Sequence, residues 1–232
     1  MFLTIVVVLV VSGALVAGAA WGVFGRPSDR VEGFVVALAG GALMVSAVLE
    51  LVEPSTKQAP AWSVYAVVVL GALVFVLLDR AIARRTSKDS GGGLLTAITL
   101  DGVPENLALG VALIGAGPLQ VAALSGSIFL SNLPEAAGGA RDMSSGGHSR
   151  GKVMALWVAT AVLLSLAALA GNLLLAGVPE SALALVRSFA GGAVAASLAT
   201  EVFPKAFREE SYLAGLAATL GLVAAIALDQ LG

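Results

Sequence analysis

The stretch AGGALMVSAVLE, residues 39–50, has a counterpart in AGGAVAASLATE, residues 190–201. Both begin with Ala-Gly-Gly-Ala and end, after seven further residues, with a glutamate. A second pair, LGALVFVLLD at 70–79 and LGLVAAIALD at 220–229, is separated by 150 residues, against 151 for the first pair. Small residues and leucine also recur by chance, because close helix packing favours Gly and Ala. Two matches at nearly one separation nevertheless indicate an internal repeat.

The composition indicates the environment of this repeat. Hydrophobic residues make up 58% of the chain and charged residues 12%, with a mean hydropathy of +0.97, whereas soluble domains carry about a quarter charged residues. Windows of about 20 apolar residues are long enough to cross the hydrocarbon core. They predict an all-α, polytopic membrane protein whose residues 1–232 form one transmembrane domain. Its eight predicted spans are 2–24, 33–52, 61–79, 92–114, 119–140, 153–176, 181–203 and 212–230.

The basic residues alternate between the connections, and basic connections stay on the cytoplasmic side. Only Lys57 and Arg187 fall on the other side. The pattern predicts that both termini face outward in a multi-pass protein of the cell membrane. The eleven basic residues assigned to the inner side are Arg26, Arg30, Arg80, Arg84, Arg85, Lys88, Arg141, Arg150, Lys152, Lys205 and Arg208.

The repeat predicts an inverted topology. Helices 2 and 3 match helices 7 and 8, and an odd number of spans separates the copies, so they run in opposite directions across the membrane. We therefore expect helices 1–3 to be related to helices 6–8, with helices 4 and 5 on the axis between them. Many secondary transporters use such inverted repeats to form one substrate site near mid-membrane.

Helices 4 and 5 also resemble one another. LDGVPENLA at 100–108 and LSNLPEAAG at 130–138 share the pattern L-x-x-x-P-E. A proline inside a helix has no N–H to donate, so Pro104 and Pro134 are expected to release two carbonyl groups and to kink their helices. Released carbonyls in hydrocarbon need another partner.

Polar side chains surround both prolines. Asp101 and Glu105 lie four residues apart and share a helix face, as do Ser131 and Glu135, with Asn132 beside them. No lysine or arginine is expected at that depth, so the carboxyl groups either hold protons and hydrogen-bond helix 4 to helix 5, or hold a cation. A divalent cation offsets several ionised carboxylates at once, and oxygen ligands suit hard to borderline metals.

At these residues the chain resembles the ZIP (Zrt/Irt-like protein) family of divalent metal transporters. The resemblance covers the whole chain: eight helices, both termini outside, and paired x-x-x-P-E motifs in helices 4 and 5. The family's helix 4 motif, H-N-x-P-E-G, is matched by residues 101–106. Its helix 5 motif, a polar pair followed by x-P-E, is matched by residues 131–135.

This resemblance implies a function, a site and a mechanism. The substrate would be a divalent metal ion (zinc, manganese, iron or cadmium), taken up into the cytoplasm by a homodimer in the lipid bilayer. Glu105 and Glu135 would be the central ligands, Asp101 would replace the family's histidine, and Ser131 and Asn132 would complete the shell. Helices 1, 4, 5 and 6 would slide as a transport unit against helices 2, 3, 7 and 8.

Two departures from the family pattern affect the expected metal. The site has no imidazole, and Gly102 replaces a family asparagine ligand, which argues against a second metal ion. Loss of nitrogen ligands shifts the expected preference from zinc towards manganese or ferrous iron, although the general order of affinities still favours zinc.

Acidic residues also mark both ends of the predicted path. Glu50 and Glu53 near the outer side, and Glu201 near the inner side, are candidates for an ion path. Ordinary solvation at the membrane edge explains them equally well.

Other functional classes lack their motifs. The sequence has no phosphate-binding loop for ATP, no H-E-x-x-H and no basic stripe for nucleic acid, so we expect neither an organic cofactor, nor an enzyme, nor nucleic-acid binding. Two alternatives stay open. One is an intramembrane hydrolase that uses Asp101 and Glu105 as an acid/base pair; the other is a membrane scaffold that does not transport.

Overall fold

The computed structural model describes residues 2–25, 28–85, 91–114, 122–210 and 212–230, which form helices joined by short turns and contain no strand. We number the helices of these ranges in chain order, counting a helix that continues through a π-helical turn as one. They are α1 (Phe2–Ala20, continued by Trp21–Gly25), α2 (Asp29–Gln58), α3 (Ala61–Arg85), α4 (Gly91–Ala112), α5 (Ala122–Ser145), α6 (Arg150–Leu174), α7 (Glu180–Glu209) and α8 (Ala214–Asp229).

Five helices of the described ranges are long and apolar enough to cross a membrane. They contain Thr4–Gly25, Asp29–Gln58, Ala61–Ile82, Arg150–Leu174 and Glu180–Glu209. The last helix, α8, is apolar but has only 16 residues. The protein is therefore an all-α, membrane-embedded protein, which confirms the class predicted from composition.

Several helices extend beyond their apolar windows. A hydrogen bond from Val31 N to Ser28 Oγ caps the start of α2. At the other ends, α5 continues to Ser145 and α7 to Glu209. Apolar windows stop at the first charges, whereas a helix continues as long as its backbone groups are paired. Arg141 and Lys205, assigned to connections by the sequence, consequently lie within helices.

A π-helical turn widens α2 and α7 at matching positions. The turns are Ala47–Val52 and Leu198–Val202, and Pro54 and Pro204 follow them closely. A proline cannot donate to the carbonyl four residues earlier and its ring collides with that carbonyl. A wider turn relieves this conflict. Such turns are often found at functional sites.

The helices pack as two groups of four. In the first group α1 packs against α5 and α6, and α4 packs against α6. In the second group α2 packs against α7 and α8, and α3 packs against α7. The groups meet chiefly where α2 contacts α5 and where α4 contacts α7.

Backbones approach most closely inside the two groups. At eight of the described glycines, an added Cβ would overlap the carbonyl oxygen of a neighbouring helix, and each such contact joins helices of one group. The pairs are Gly18–Leu133, Gly22–Ala137, Gly110–Ala168 and Gly171–Leu107 in the first group, and Gly41–Ala218, Gly221–Leu38, Gly71–Phe189 and Gly192–Val68 in the second. Close packing at small residues stabilises helix pairs in membranes.

Side chains, in contrast, fill the boundary between the groups. A buried apolar cluster there takes residues from α1, α4 and α5 on one side and from α2 and α7 on the other. Its members include Val11, Leu109, Ile128, Leu43, Leu51, Val194 and Leu198. The candidate polar residues of α4 and α5 lie on the helices that form this boundary.

Candidate functional site

The P-E motif of α4 lies inside a continuous helix. Glu105 is buried, with 7% of its surface exposed, and Asn106 is buried beside it. The Asn106 amide Nδ2 donates to the carbonyl oxygen of Gly102 at 2.9 Å, so this side chain is paired within its own helix. A buried carboxylate in an apolar bundle is costly unless opposite charge or hydrogen bonds compensate it.

The position of Gly102 has little room for a side chain. A methyl group there would come within 2.6 Å of Leu164 Cδ1 on α6. The asparagine that the ZIP pattern has at this position would require Leu164 to move. Gly102 therefore brings α4 close to α6 and supplies no ligand side chain.

The P-E motif of α5 is also part of a continuous helix. Ser131 and Asn132 are buried, and Glu135 is partly buried. The Ser131 hydroxyl donates to Ile128 O at 3.1 Å, and the Asn132 amide Nδ2 donates to Val11 O on α1 at 3.2 Å. Asn132 thus joins α5 to α1. One turn before Ser131, Ser127 shares a hydrogen bond with Ser46 of α2.

A charge near Glu135 corrects one sequence expectation. Lys205 of α7 lies against this part of α5, since its Nζ would be 2.5 Å from a Cβ on Gly138, three residues after Glu135. The prediction that no lysine or arginine lies near the predicted cluster is therefore wrong. Lys205 was assigned to a connection, and the continuation of α7 brings it to Glu135.

The third predicted carboxylate lies outside the described part. The backbone of Asp101 belongs to α4, but its side chain is not among the described residues. Among the side chains that are described, no group of three or more His, Asp and Glu residues is arranged to hold a metal ion. The predicted metal shell of Asp101, Glu105, Ser131, Asn132 and Glu135 stays a prediction.

The three path candidates differ in their surroundings. Glu53 is exposed and pairs with Lys57 of the same helix, with 3.0 Å between Oε1 and Nζ. Glu50 lies in the π-helical turn of α2 and is partly buried. Glu201 lies in the matching turn of α7 and is also partly buried.

A cluster of ion pairs that the sequence analysis did not predict lies at the start of α2. Glu32 is fully buried, and Lys205 Nζ lies 2.8 Å from its Oε1. An Nη atom of Arg141 lies 3.2 Å from Glu32 Oε2 and 2.8 Å from Asp29 Oδ1. Glu209 is more distant, 4.0 Å from Lys205. We call Glu32, Asp29, Arg141 and Lys205 the ion-pair cluster.

A signal for this cluster is present in the sequence. Glu32 has the same helical spacing as the buried Val36, Ala39 and Leu43, and therefore lies on the buried face of α2. The apolar window for this helix starts at residue 33, so it excludes Glu32 and the start of the buried face.

Two comparisons with known proteins find no relative. No model of a protein family matches the chain, and no curated protein matches it.

Proposed function

We propose that this protein transports divalent metal ions across the cell membrane and is a divergent member of the ZIP family. The observation that carries the proposal is the buried Glu105, which follows a proline inside an apolar bundle. Its helix contacts α5, where Glu135 follows a proline in the same way. A captured cation is a compensation that such carboxylates can share.

The proposed architecture is an inverted repeat of eight membrane spans with both termini outside. Contacts between matching positions support it. Gly41 contacts Ala218, and Gly192 contacts Val68. Through the repeat, Gly41 corresponds to Gly192, and Val68 corresponds to Ala218. The pairs Gly221–Leu38 and Gly71–Phe189 are related in the same way.

The contacts between α2 and α7 also support opposite directions for the two copies. A Cβ on Gly40 would meet the ring of Phe203, and a Cβ on Gly191 would meet Val52. The repeat relates Gly40 to Gly191 and Val52 to Phe203, so it converts one contact into the other. The start of this stretch of α2 contacts the end of the matching stretch of α7, so the two helices are antiparallel. Antiparallel copies are the arrangement that an inverted topology requires.

In the proposed mechanism the first group, α1, α4, α5 and α6, carries the metal past the second group, α2, α3, α7 and α8. The packing supports this division. Close backbone contacts at glycine hold each group together, whereas side chains fill the boundary. Close packing at small residues stabilises helix pairs in membranes, so it favours cohesion within each group. Transport is proposed to run into the cytoplasm through a homodimer, as the family resemblance implies.

The proposed ligand set is rich in oxygen. Glu105, Glu135, Ser131, Asn132 and Asp101 offer carboxylate, amide and hydroxyl oxygens and no imidazole. Oxygen ligands suit manganese and ferrous iron better than they suit softer metals. The nearby Lys205 adds a positive charge that weakens the attraction for any cation.

Metal binding to the purified protein tests the proposal. Thermal unfolding is followed during titration with manganese, ferrous iron, zinc and cadmium, because a ligand that binds the folded state stabilises it by about 2.7 kcal/mol at 100 times its Kd. We expect a metal-dependent shift that Glu105→Gln and Glu135→Gln abolish. Glu180→Gln, at an exposed glutamate in the first turn of α7, is the matched control and should keep the shift.

The alternatives are distinguished by this titration and by a separate activity assay. A membrane scaffold would show no metal-dependent shift with the unsubstituted chain. An intramembrane hydrolase would act on a membrane substrate when all metals are chelated. Either result would remove the carrier proposal.

A further inference from the structure

Charged residues of three helices meet in the ion-pair cluster. Glu32 is fully buried, and each of its carboxylate oxygens faces a different cation: Oε1 faces Lys205 at 2.8 Å and Oε2 faces Arg141 at 3.2 Å. Arg141 also contacts Asp29, whose side chain is 73% exposed, at 2.8 Å. One guanidinium thus bridges a buried carboxylate and an exposed one.

The cluster crosses the boundary between the two groups. Asp29 and Glu32 belong to α2 and Lys205 to α7, all in the second group, whereas Arg141 belongs to α5 in the first group. Arg141 is therefore the member of the cluster that reaches across the boundary.

The surface of α5 is shaped to receive the buried carboxylate. Gly138 lies one turn before Arg141, and a Cβ at this position would overlap Glu32 Oε1 and come 2.5 Å from Lys205 Nζ. The Glu32–Lys205 pair consequently lies directly against the backbone of α5. This contact depends on the height of α5 relative to α2, that is, on its position along the helix axis.

We infer that Arg141 is a positioning residue, which holds α5 at the height seen in this structure and must release Asp29 and Glu32 when α5 moves. The inference rests on the proposed function, in which the first group slides past the second. Glu135 lies on the same helix as Arg141, so the pairing also sets the depth of the predicted metal ligand.

Sliding of α5 along α2 would break this pairing. A displacement by one helical turn is about 5.4 Å, which exceeds the length of either bond and separates Arg141 from both carboxylates. Lysine cannot replace arginine fully, because its ammonium group is compact and lacks the planar fork that reaches two acceptors. If Arg141→Lys partly retains the position of α5, the role of Arg141 depends on its charge and not on its volume alone.

Distance measurement between spin labels tests this inference without any metal. The chain has no cysteine, so Ser145→Cys on α5 and Phe207→Cys on α7 can be labelled selectively; both residues are exposed. The protein is studied in lipid, free of metal. The label distance reports whether α5 is in the position seen in this structure or is displaced. Arg141→Gln should raise the ratio of displaced to undisplaced protein by about tenfold, within the usual range for coupled equilibria. Arg141→Lys should lie between this variant and the parent.

Two further variants keep the test decisive. Asp29→Asn removes a largely exposed partner of Arg141 and should shift the label distances in the same direction as Arg141→Gln. It therefore tests the inference even if Arg141→Gln fails to fold. Glu180→Gln breaks an ion pair of 3.0 Å with Arg187 inside α7, and it should leave the distances as in the parent. Folding is checked by thermal unfolding of each labelled variant.

Unchanged distances in folded Arg141→Gln and Asp29→Asn would overturn the inference, as would an equal shift in Glu180→Gln. If these distances shift but no metal binds, the proposed function fails while the positioning role stands. If metal binds and the distances do not respond, the positioning role fails alone.

Discussion

Ser46 of α2 and Ser127 of α5 share a buried hydrogen bond, with 2.8 Å between their Oγ atoms. The bond crosses the boundary between the two helix groups. A second serine pair, Ser12 of α1 and Ser165 of α6, has the same Oγ–Oγ separation of 2.8 Å but lies inside the first group. These two pairs allow the proposed sliding to be tested with matched crosslinks.

Crosslinking Ser46→Cys to Ser127→Cys should block metal uptake. Hydroxyl oxygens at hydrogen-bond distance place the β-carbons within reach of a disulfide, and the chain contains no other cysteine. A covalent bond across the boundary prevents α5 from moving past α2. Uptake is measured in vesicles before and after oxidation, and reductant should restore it.

The pair Ser12→Cys and Ser165→Cys serves as the control. This disulfide joins two helices that are proposed to move together, so oxidation should leave uptake unchanged. Equal loss of uptake with both crosslinks, or none with either, would contradict sliding of one group past the other.

Close packing at glycine gives a prediction for stability. Gly41→Ala should destabilise the protein by about 1–3 kcal/mol, the usual cost of overpacking, because the methyl group overlaps the Ala218 carbonyl. Gly192→Ala should cost a similar amount at the position related by the repeat. Thermal unfolding of the purified variants measures both effects.

Gly13→Ala is the control for this substitution, since nothing lies within 4 Å of an added Cβ there. Alanine is favoured over glycine in a helix by about 0.5–1 kcal/mol, so this variant should be as stable as the parent or slightly more stable. If Gly41→Ala unfolds no earlier than Gly13→Ala, the close approach of α2 and α8 is wrong.

Lys205 should weaken metal binding through its charge. Lys205→Gln removes a positive group near Glu135, so we expect the metal Kd to fall by roughly tenfold or less, since charges interact at reduced strength through a partly polar interior. Lys57→Gln, at an exposed lysine paired with Glu53, should leave Kd unchanged. An unchanged or higher Kd in Lys205→Gln would show that this ammonium does not act on the metal.

The sequence predicts a membrane protein because its apolar windows are long enough to cross the hydrocarbon core. The five long apolar helices confirm this class. The sequence does not predict where the helices end, since charged residues such as Glu32 and Lys205 are stabilised within helices by partners that are remote in sequence. Spacing alone identifies the P-E motifs, and the roles of Glu105 and Glu135 as metal ligands stay predictions. That Asn132 donates to Val11 O depends on helix packing, which local spacing does not encode.

Uptake by the reconstituted protein tests the central proposal most directly. Vesicles that contain the unsubstituted chain should accumulate manganese, ferrous iron, zinc or cadmium, and Glu105→Ala should abolish this accumulation while thermal unfolding shows that it still folds. Glu180→Gln should transport at the parental rate. Undiminished uptake by Glu105→Ala, or no uptake of any of the four metals by the parent, would contradict the account.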